Sequence, residues 1–383
     1  MSEYQYYEFV AIDRPLTREE MAELRSRSSR ATITATSFTN EYNWGDLKAD
    51  PADWMRRYFD AFVYTANWCS CVLALRLPRD AIDKTDLKGF ATEYALTIED
   101  SGTHWIIKWS LEEGQDYDRF AMETGAGWMG SLVPLRDELQ RGDLRALYLG
   151  WLAGVDAGEV KENAVEPEVP PGLSQLSAAQ QALVEFLEID PDLVAAAATG
   201  SREIEDCLQG DGNVEAWLAG LPGNEVKAVF NLLLQGASQQ AERKVKSGYS
   251  AWLKERRPSQ RALSAKRRTV AELHALAKEA ENRRLEREAK EHARQEAERR
   301  RQREDWLRTL ATDFKRHWQM ADQQAERATA AGYDEATRII IDLAEAYALV
   351  SKRDAFDQAL GHFMARHGKR RTLVRRLDEA GLW

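Results

Sequence analysis

The residues with the most reactive side chains in this sequence are three cysteines and six histidines. Cys69 and Cys71 are two positions apart, and such residues point to the same face of a β-strand, so their thiols could share a ligand or oxidise. A structural zinc ion needs four ligands, yet the sequence has neither a Cys-x-His pair nor a second cysteine pair. Cys207 is far from both in sequence. We therefore predict structural cysteines and no metal site.

No motif of a common catalytic or nucleotide-binding site occurs in the sequence. The glycine-rich dinucleotide and phosphate loops, the His-Glu-x-x-His helix and the Gly-x-Ser-x-Gly elbow are all missing. Carboxylates are abundant, but no spacing pairs two of them as acid and base. His317, His362 and His367 lie in a helical region beside basic residues, which favours surface or core roles. We expect no cofactor and assign no catalytic residue. An enzyme is the third hypothesis, with carboxylates in a cleft between domains.

Charge is distributed unevenly along the 383 residues, although the formal net charge is −10. Residues 1–241 hold 20 Lys/Arg and 40 Asp/Glu, residues 242–303 hold 20 and 10, and residues 304–383 hold 13 and 13. This asymmetry predicts an anionic partner for the basic segment, or self-association of that segment with the acidic part.

The sequence also predicts where the protein is found. It has no run of 18 uncharged apolar residues, so we expect no membrane partner. The first residues lack the features of a signal peptide. Three cysteines are too few for a disulfide framework, which favours a reducing cytoplasm.

The first 125 residues show the pattern of an α+β domain. Residues 4–12 and 31–38 are rich in aromatic and β-branched side chains, as strands are. Thr17 and Glu20 form a capping box ahead of a helix. A second helix opens at Asp50-Pro51, and aromatic residues follow at helical spacing as far as Phe62. Residues 69–77, 94–99 and 104–111 are further predicted strands. The order favours a sheet with helices on one face, for which a ferredoxin-like arrangement is the first choice.

The remainder of the sequence is mainly helical. Pro167, Pro170 and Pro171 lie among glutamates and indicate a linker. We predict an α+β domain at 1–125, a helical extension at 126–165, a Pro/Glu linker at 166–176, a helical domain at 177–257, a long charged helix or coiled coil at 258–330, and a C-terminal helical domain at 331–383.

The long charged helix is the most informative predicted element. Between Pro258 and Gly332 the sequence contains 73 residues with neither glycine nor proline, and a continuous helix of that length would measure about 110 Å. Its first part approximates a heptad seam, which ends where arginines occupy the next core positions. The stretch from Leu285 to Arg303 resembles a solvated helix held by ion pairs such as Glu286 with Lys290. The seam comprises Leu263, Lys266, Val270, Leu273, Ala277 and Ala280.

Two functions are compatible with these features. The first is a non-enzymatic interaction or scaffold protein that uses the charged helix as a spacer or pairing element, with a protein partner or self-association. Trp44 and Asp46, in a predicted loop, are candidates for partner binding. The second is a nucleic-acid-associated protein that binds phosphates through the basic helix. Its candidate anion-binding residues are Arg256, Arg257, Lys266, Arg267, Arg268, Arg299, Arg300 and Arg301.

Short blocks of sequence resemble known families. Tyr6–Phe9, Ile12–Thr17, Ser28–Ala31 and Asn43–Asp46 resemble a family of uncharacterised bacterial proteins over roughly the first 80 residues, a resemblance that implies no known activity. Three helical blocks resemble helical regions of bacterial SWIM zinc-finger proteins. The SWIM finger needs Cys-x-Cys followed by Cys-x-His, and no Cys-x-His follows Cys71, so zinc binding is not implied here. The three blocks are Trp217–Pro222, Arg366–Lys369 and Leu377–Leu382.

Overall fold

The computed structural model describes residues 4–87, 89–112, 114, 127–203, 211–236 and 267–383, together with individual residues between 238 and 252. The chain divides into two compact units, which we call unit 1 (Met1–Asn282) and unit 2 (Arg283–Trp383). Unit 1 combines a β-sheet with helices, and unit 2 is helical in its described elements. The predicted class, an α+β N-terminal domain followed by helices, is confirmed.

The described strands of unit 1 form one seven-stranded sheet in the order β2-β3-β1-β4-β5-β7-β6. Every pair in this sheet is antiparallel. The ferredoxin-like arrangement is confirmed for the first four strands, which with the two helices between them have the chain order β-α-β-β-α-β and the sheet order 4-1-3-2. The other three strands extend this sheet beyond the fourth strand. The strands are β1 (Gln5–Val10), β2 (Thr32–Ile33), β3 (Ser37–Tyr42), β4 (Ala61–Ala66), β5 (Cys71–Pro78), β6 (Leu96–Asp100) and β7 (His104–Leu111).

Strand β4 was absent from the sequence prediction, which extended the second helix to Phe62. The structure ends that helix at Arg57, and Asp50 caps its start through a 2.9 Å hydrogen bond from the N–H of Ala52. The residues beyond it alternate between the two faces of a strand: Val63 joins one core and Phe62 joins the other. Aromatic side chains fit both periods over so short a stretch, which explains the error.

Helices cover both faces of the sheet, whereas the sequence pattern suggested one. Alternate residues of β5 separate, with Leu73 and Leu75 in one core and Ala74 in the other. Strands buried on both sides have nearly continuous apolar sequences, as β5 does. One core packs beneath α1 (Arg18–Arg27) and α2 (Pro51–Arg57). The other faces α4 (Trp128–Leu132), α5 (Pro134–Gln140), α6 (Arg145–Asp156), α7 (Ala178–Phe186) and α8 (Pro191–Ala198), and α3 (Lys84–Leu87) precedes them.

Helix α6 lies against the sheet at very short range. The indole N–H of Trp109 on β7 donates to the carbonyl oxygen of Ala146 at 2.9 Å. A Cβ at Gly150 would come within 2.6 Å of the Trp109 ring, so glycine is required for this approach. Thus β7 and α6 are joined by one buried hydrogen bond and one close backbone contact.

A buried charge network, comprising Asp60, Arg76, Arg136 and Asp13, lies where β1, β4, β5 and α5 meet. The Asp60 carboxylate is fully buried and accepts the backbone N–H groups of Ile12 and Asp13 at 2.7 and 2.8 Å. Arg76 donates to Asp60 at 2.7 Å, and Arg136 donates to Asp13 at 2.8 Å. Burial alone would raise the pKa of Asp60, but the two guanidinium groups and the two N–H donors lower it below 3.8. The ionised Asp60 carboxylate therefore stabilises the fold above pH 3.8, and this stabilisation is lost as the pH falls through the lower folded-state pKa.

Beyond α8, unit 1 contains α9 (Asp211–Gly220) and α10 (Gly223–Leu234), and α11 (Val270–Leu310) begins within it. The described start of the long helix is thus Val270. Within the segment predicted as a linker, Glu166 and Leu173 are buried in unit 1.

Unit 2 packs four short helices with the last turns of α11. Leu307 and Leu310 belong to its core, which centres on Ile340, Phe356 and Phe363. The buried ring of His367 contacts the carboxylate of Asp322 at 3.0 Å, an interaction that joins two of the helices. After α11 the helices are α12 (Phe314–Glu326), α13 (Ala330–Leu349), α14 (Arg353–His367) and α15 (Arg371–Glu379).

The charge network predicts a large loss of stability when one cation is removed. We expect Arg136→Met to lower the free energy of unfolding by about 3–5 kcal/mol, because Asp13 and Asp60 would keep their buried charges with one partner fewer. Urea unfolding followed by circular dichroism measures the change. Arg18→Met, at an exposed position of α1, should shift it by less than about 0.5 kcal/mol. Equal effects of the two substitutions would refute the assignment.

Candidate interaction surfaces

Helix α11 is 41 residues long and enters its first turn through a capping interaction. Thr269 Oγ1 accepts the N–H of Glu272 at 3.2 Å, and the Glu272 carboxylate accepts the N–H of Thr269 at 2.7 Å. Val270, Leu273 and Ala277 then join the core of unit 1. The sequence had placed these three residues on a pairing seam, and the structure shows that unit 1 itself covers them.

The middle of α11, residues 285–302, is exposed at every position. Its side chains interact along the helix: Glu286 with Lys290 at 2.6 Å, as predicted, and Arg284 with Glu288 at 3.1 Å. Each exposed pair contributes only about 0.3–0.5 kcal/mol. This segment contributes no residue to any of the three described apolar cores, so its helical state rests on local interactions.

The candidate anion-binding residues fall into three groups. Arg256, Arg257 and Lys266 lie outside the described residues. Arg267 is exposed, and so are Arg299, Arg300 and Arg301. The last three have no ion-pair partner within the part of the chain that the structure describes. Arg268 is the exception, because its guanidinium is already committed to protein groups.

Arg268 forms a two-pronged ion pair with the buried carboxylate of Glu166, at 2.8 Å on each oxygen. The same guanidinium donates to the carbonyl of Ala196 at 3.0 Å. The hydroxyl of Tyr148 donates to Oε1 of the same carboxylate, and burial followed by the Glu166 charge raises the Tyr148 pKa well above 10. Beside this ion pair, Val165 and Thr269 form an antiparallel backbone bridge. The assignment of Arg268 as an anion-binding residue is therefore wrong: it neutralises a buried carboxylate of its own chain.

The loop that contains Trp44 is held by a buried glutamine. Gln5 Nε2 donates to the Asp46 carboxylate at 2.8 Å and to the carbonyl of Gly45 at 3.1 Å. Its Oε1 accepts the hydroxyl of Tyr7 at 2.8 Å. Burial, and next the Asp46 charge, raise the Tyr7 pKa to about 12. Gly45 has a φ of +87°, which glycine adopts without strain. Trp44 is 75% exposed at the tip of this fixed loop, so its ring is accessible, while Asp46 serves to anchor the loop.

An apolar surface that the sequence analysis did not identify lies on α10. Its residues Val226, Phe230, Leu233 and Leu234 follow helical spacing, which places them on one side of the helix. Phe230 is 60% exposed and Leu234 is 85% exposed, and no residue of this fully described helix is buried. The i, i+4, i+7, i+8 pattern was present in the sequence. Spacing alone does not reveal whether a neighbour covers such a pattern.

Cys69 and Cys71 both lie in buried positions. Cys69 occupies the turn before β5 with a φ of +67°, and the strand begins at Cys71, so the predicted strand start at Cys69 is wrong. The thiol of Cys71 donates to the carbonyl of Phe186 at 2.9 Å. Cys207 is outside the described residues. Among the described residues, no group of three or more His, Cys, Asp or Glu side chains could hold a metal ion.

Comparisons with known proteins give no match: no family model, curated protein or solved structure corresponds to this chain. The two family resemblances stay predictions. No helix among the described residues is both long and apolar enough to cross a membrane.

The Arg268 contact generates a direct test. We expect Arg268→Met to lower the free energy of unfolding by about 3–5 kcal/mol, since Glu166 would become an uncompensated buried charge. Guanidinium chloride unfolding would show this as a lower midpoint. Arg267→Met changes the same residue type at the exposed neighbouring position and should have almost no effect. Adding Glu166→Gln to Arg268→Met should restore part of the lost stability, and no recovery would contradict the pairing.

Proposed function

We propose that this protein is a non-enzymatic interaction or scaffold protein in which α11 acts as a spacer. The observation that carries the proposal is the exposed segment 285–302, which is helical without contributing to any of the three cores. At 1.5 Å per residue, these 18 positions would provide about 27 Å of helix. Mixed charge keeps such a segment soluble and limits its pairing with itself.

The spacer role is better supported than the pairing role. A helix that pairs with a second copy needs an uncovered apolar seam. Val270, Leu273 and Ala277 are buried within unit 1, and Leu285 is the large apolar residue that follows them. One half-exposed leucine among charged residues gives too little apolar area for a stable coiled coil.

The apolar side of α10 supports a protein partner. Exposed apolar patches of this kind mark sites of protein association more often than free surface, because leaving them in water is unfavourable. Phe230 and Leu234 are the most exposed apolar side chains of this surface, so their burial by a partner would contribute the most free energy. Trp44 supplies a second exposed aromatic residue, on a loop that Gln5 already holds in place.

The proposal predicts that negative charge on the apolar side of α10 abolishes the binding of a specific protein partner. The tagged full chain should capture a partner from cells that naturally contain it. Phe230→Asp with Leu234→Asp should abolish capture, because two carboxylates would have to be buried in the interface. Asn224→Asp with Asn231→Asp adds the same charge on the opposite side of α10 and should leave capture intact. Recovery of no protein, or equal capture by both variants, would refute the proposal.

Sedimentation equilibrium should show no change for Leu285→Lys, whereas a fall in mass would support pairing through α11.

Phosphate binding through the basic helix is the second candidate function. Arg299, Arg300 and Arg301 favour it, because they are exposed and have no ion-pair partner among the residues that the structure describes. Glu296 and Glu298 lie within one turn and reduce the local positive potential.

This second candidate predicts a salt-dependent effect. If these arginines contact duplex phosphates, the triple substitution of Arg299, Arg300 and Arg301 by Gln should reduce the slope of log affinity against log salt by about 2.7. Fluorescence anisotropy with a labelled 20-base-pair duplex at four salt concentrations measures the slope. Binding that is unchanged by the triple substitution would exclude α11 as the phosphate-binding element.

A further inference from the structure

The end of unit 2 contains the most concentrated positive charge of that unit. The eleven residues from 366 to 376 include six Lys or Arg and no Asp or Glu, although residues 304–383 are balanced overall. This stretch spans the end of α14, a short turn and the first two turns of α15. The six cations are Arg366, Lys369, Arg370, Arg371, Arg375 and Arg376.

Two of the six cations are used inside unit 2. Arg366 pairs with Asp322 at 2.7 Å, and Arg376 pairs with Asp334 at 3.0 Å. The other four stay available to different degrees. Lys369 and Arg371 are exposed and have no ion-pair partner within the described part of the chain. Arg375 makes one exposed contact with Glu379 at 3.5 Å, which is too weak to hold it.

The fourth available cation, Arg370, is at the start of α15. One of its guanidinium nitrogens, Nη1, is buried and has no hydrogen-bond partner among the described residues. A buried donor without an acceptor is unfavourable, and an anionic oxygen would satisfy it. No side chain caps the N-terminus of α15, where the helix dipole also favours negative charge.

An exposed aromatic ring lies beside these cations. Trp383 is 58% exposed and lines an open surface concavity of about 380 Å³. Gly368 forms part of the lining, which gives the concavity a wall without a side chain. Asp378 is the acidic residue of the lining. The complete lining is Gly368, Arg371, Val374, Arg375, Asp378 and Trp383.

We propose that this surface binds single-stranded nucleic acid. Lys369, Arg371 and Arg375 contact successive phosphates, and one base stacks on Trp383. Cations interleaved with an exposed aromatic ring are what sequence-tolerant single-strand binding requires. An acidic peptide would use the arginines but not the flat ring, and a duplex keeps its bases stacked internally. The surface is on α15 and its flanks, so it is independent of the scaffold proposal and differs from the α11 candidate.

Fluorescence anisotropy of the full chain with fluorescein-labelled dT15 tests the proposal at 50, 100 and 200 mM NaCl. Trp383→Ala should weaken binding roughly 5- to 100-fold, as loss of one stacked base does, while Trp383→Phe should retain most of the affinity. Arg371→Gln with Arg375→Gln should lower the slope of log affinity against log salt by about 1.4. Circular dichroism of each variant checks that unit 2 remains helical.

The matched control removes two exposed charges elsewhere in unit 2, with Lys315→Gln and Arg316→Gln on α12. The proposal expects this variant to bind dT15 as the unmodified chain does. Loss of binding in the control alone would assign the site to α12 and overturn the proposal. Absence of binding at 50 mM NaCl would also overturn it. Binding of a labelled poly-glutamate peptide with equal affinity, together with no effect of Trp383→Ala, would indicate an acidic protein partner instead.

Discussion

A buried carboxylate must be neutralised within the protein, and this constraint organises unit 1. Asp60 is fully enclosed, so its charge is tolerable only when Arg76, Arg136 and the amides after β1 are all in place. Those groups come from separate strands and one helix, and the apolar layers on both sides of the sheet assemble around them. Glu166 meets the same requirement with Arg268 and Tyr148. In unit 2, Asp322 meets it with His367 and Arg366. Each unit thus has buried acidic groups that specify which elements lie together.

Features of the fold that depend on a few adjacent residues could be predicted from the sequence. The capping box of Thr17 and Glu20 and the Asp50 cap are both present, because each is a local hydrogen bond. The ferredoxin-like order of the first four strands agrees with the prediction. The addition of β5, β7 and β6 beside β4 did not follow from local patterns, since it depends on which apolar runs meet. Arg76 indicated a buried ion pair, but the prediction did not use it. A lone arginine within the apolar strand β5 requires a buried acid elsewhere, but only the fold identifies that acid as Asp60.

The candidate surfaces also divide into features that follow from local sequence and features that depend on packing. The exposure of residues 285–302 follows from their composition alone, and the structure agrees with that prediction. The role of Arg268 did not follow, because Glu166 is far from it in sequence and the basic run around it suggested a solvent-facing cation. The side of α10 that contains Phe230 illustrates the opposite failure. Its periodicity is that of a core helix, and only three-dimensional packing shows that the described chain leaves it uncovered.

The contact between Glu166 and Arg268 also constrains the order in which the chain acquires its structure. It joins residues 102 positions apart, and Val270 and Leu273 complete the core directly after it. A chain emerging from the ribosome must therefore extend well beyond α8 before this core can close. Until then Glu166 lacks its cation and the core lacks Val270 and Leu273. At about 5–20 residues per second, this interval lasts roughly 5–20 seconds, during which the nascent protein is most exposed to aggregation and most dependent on chaperones.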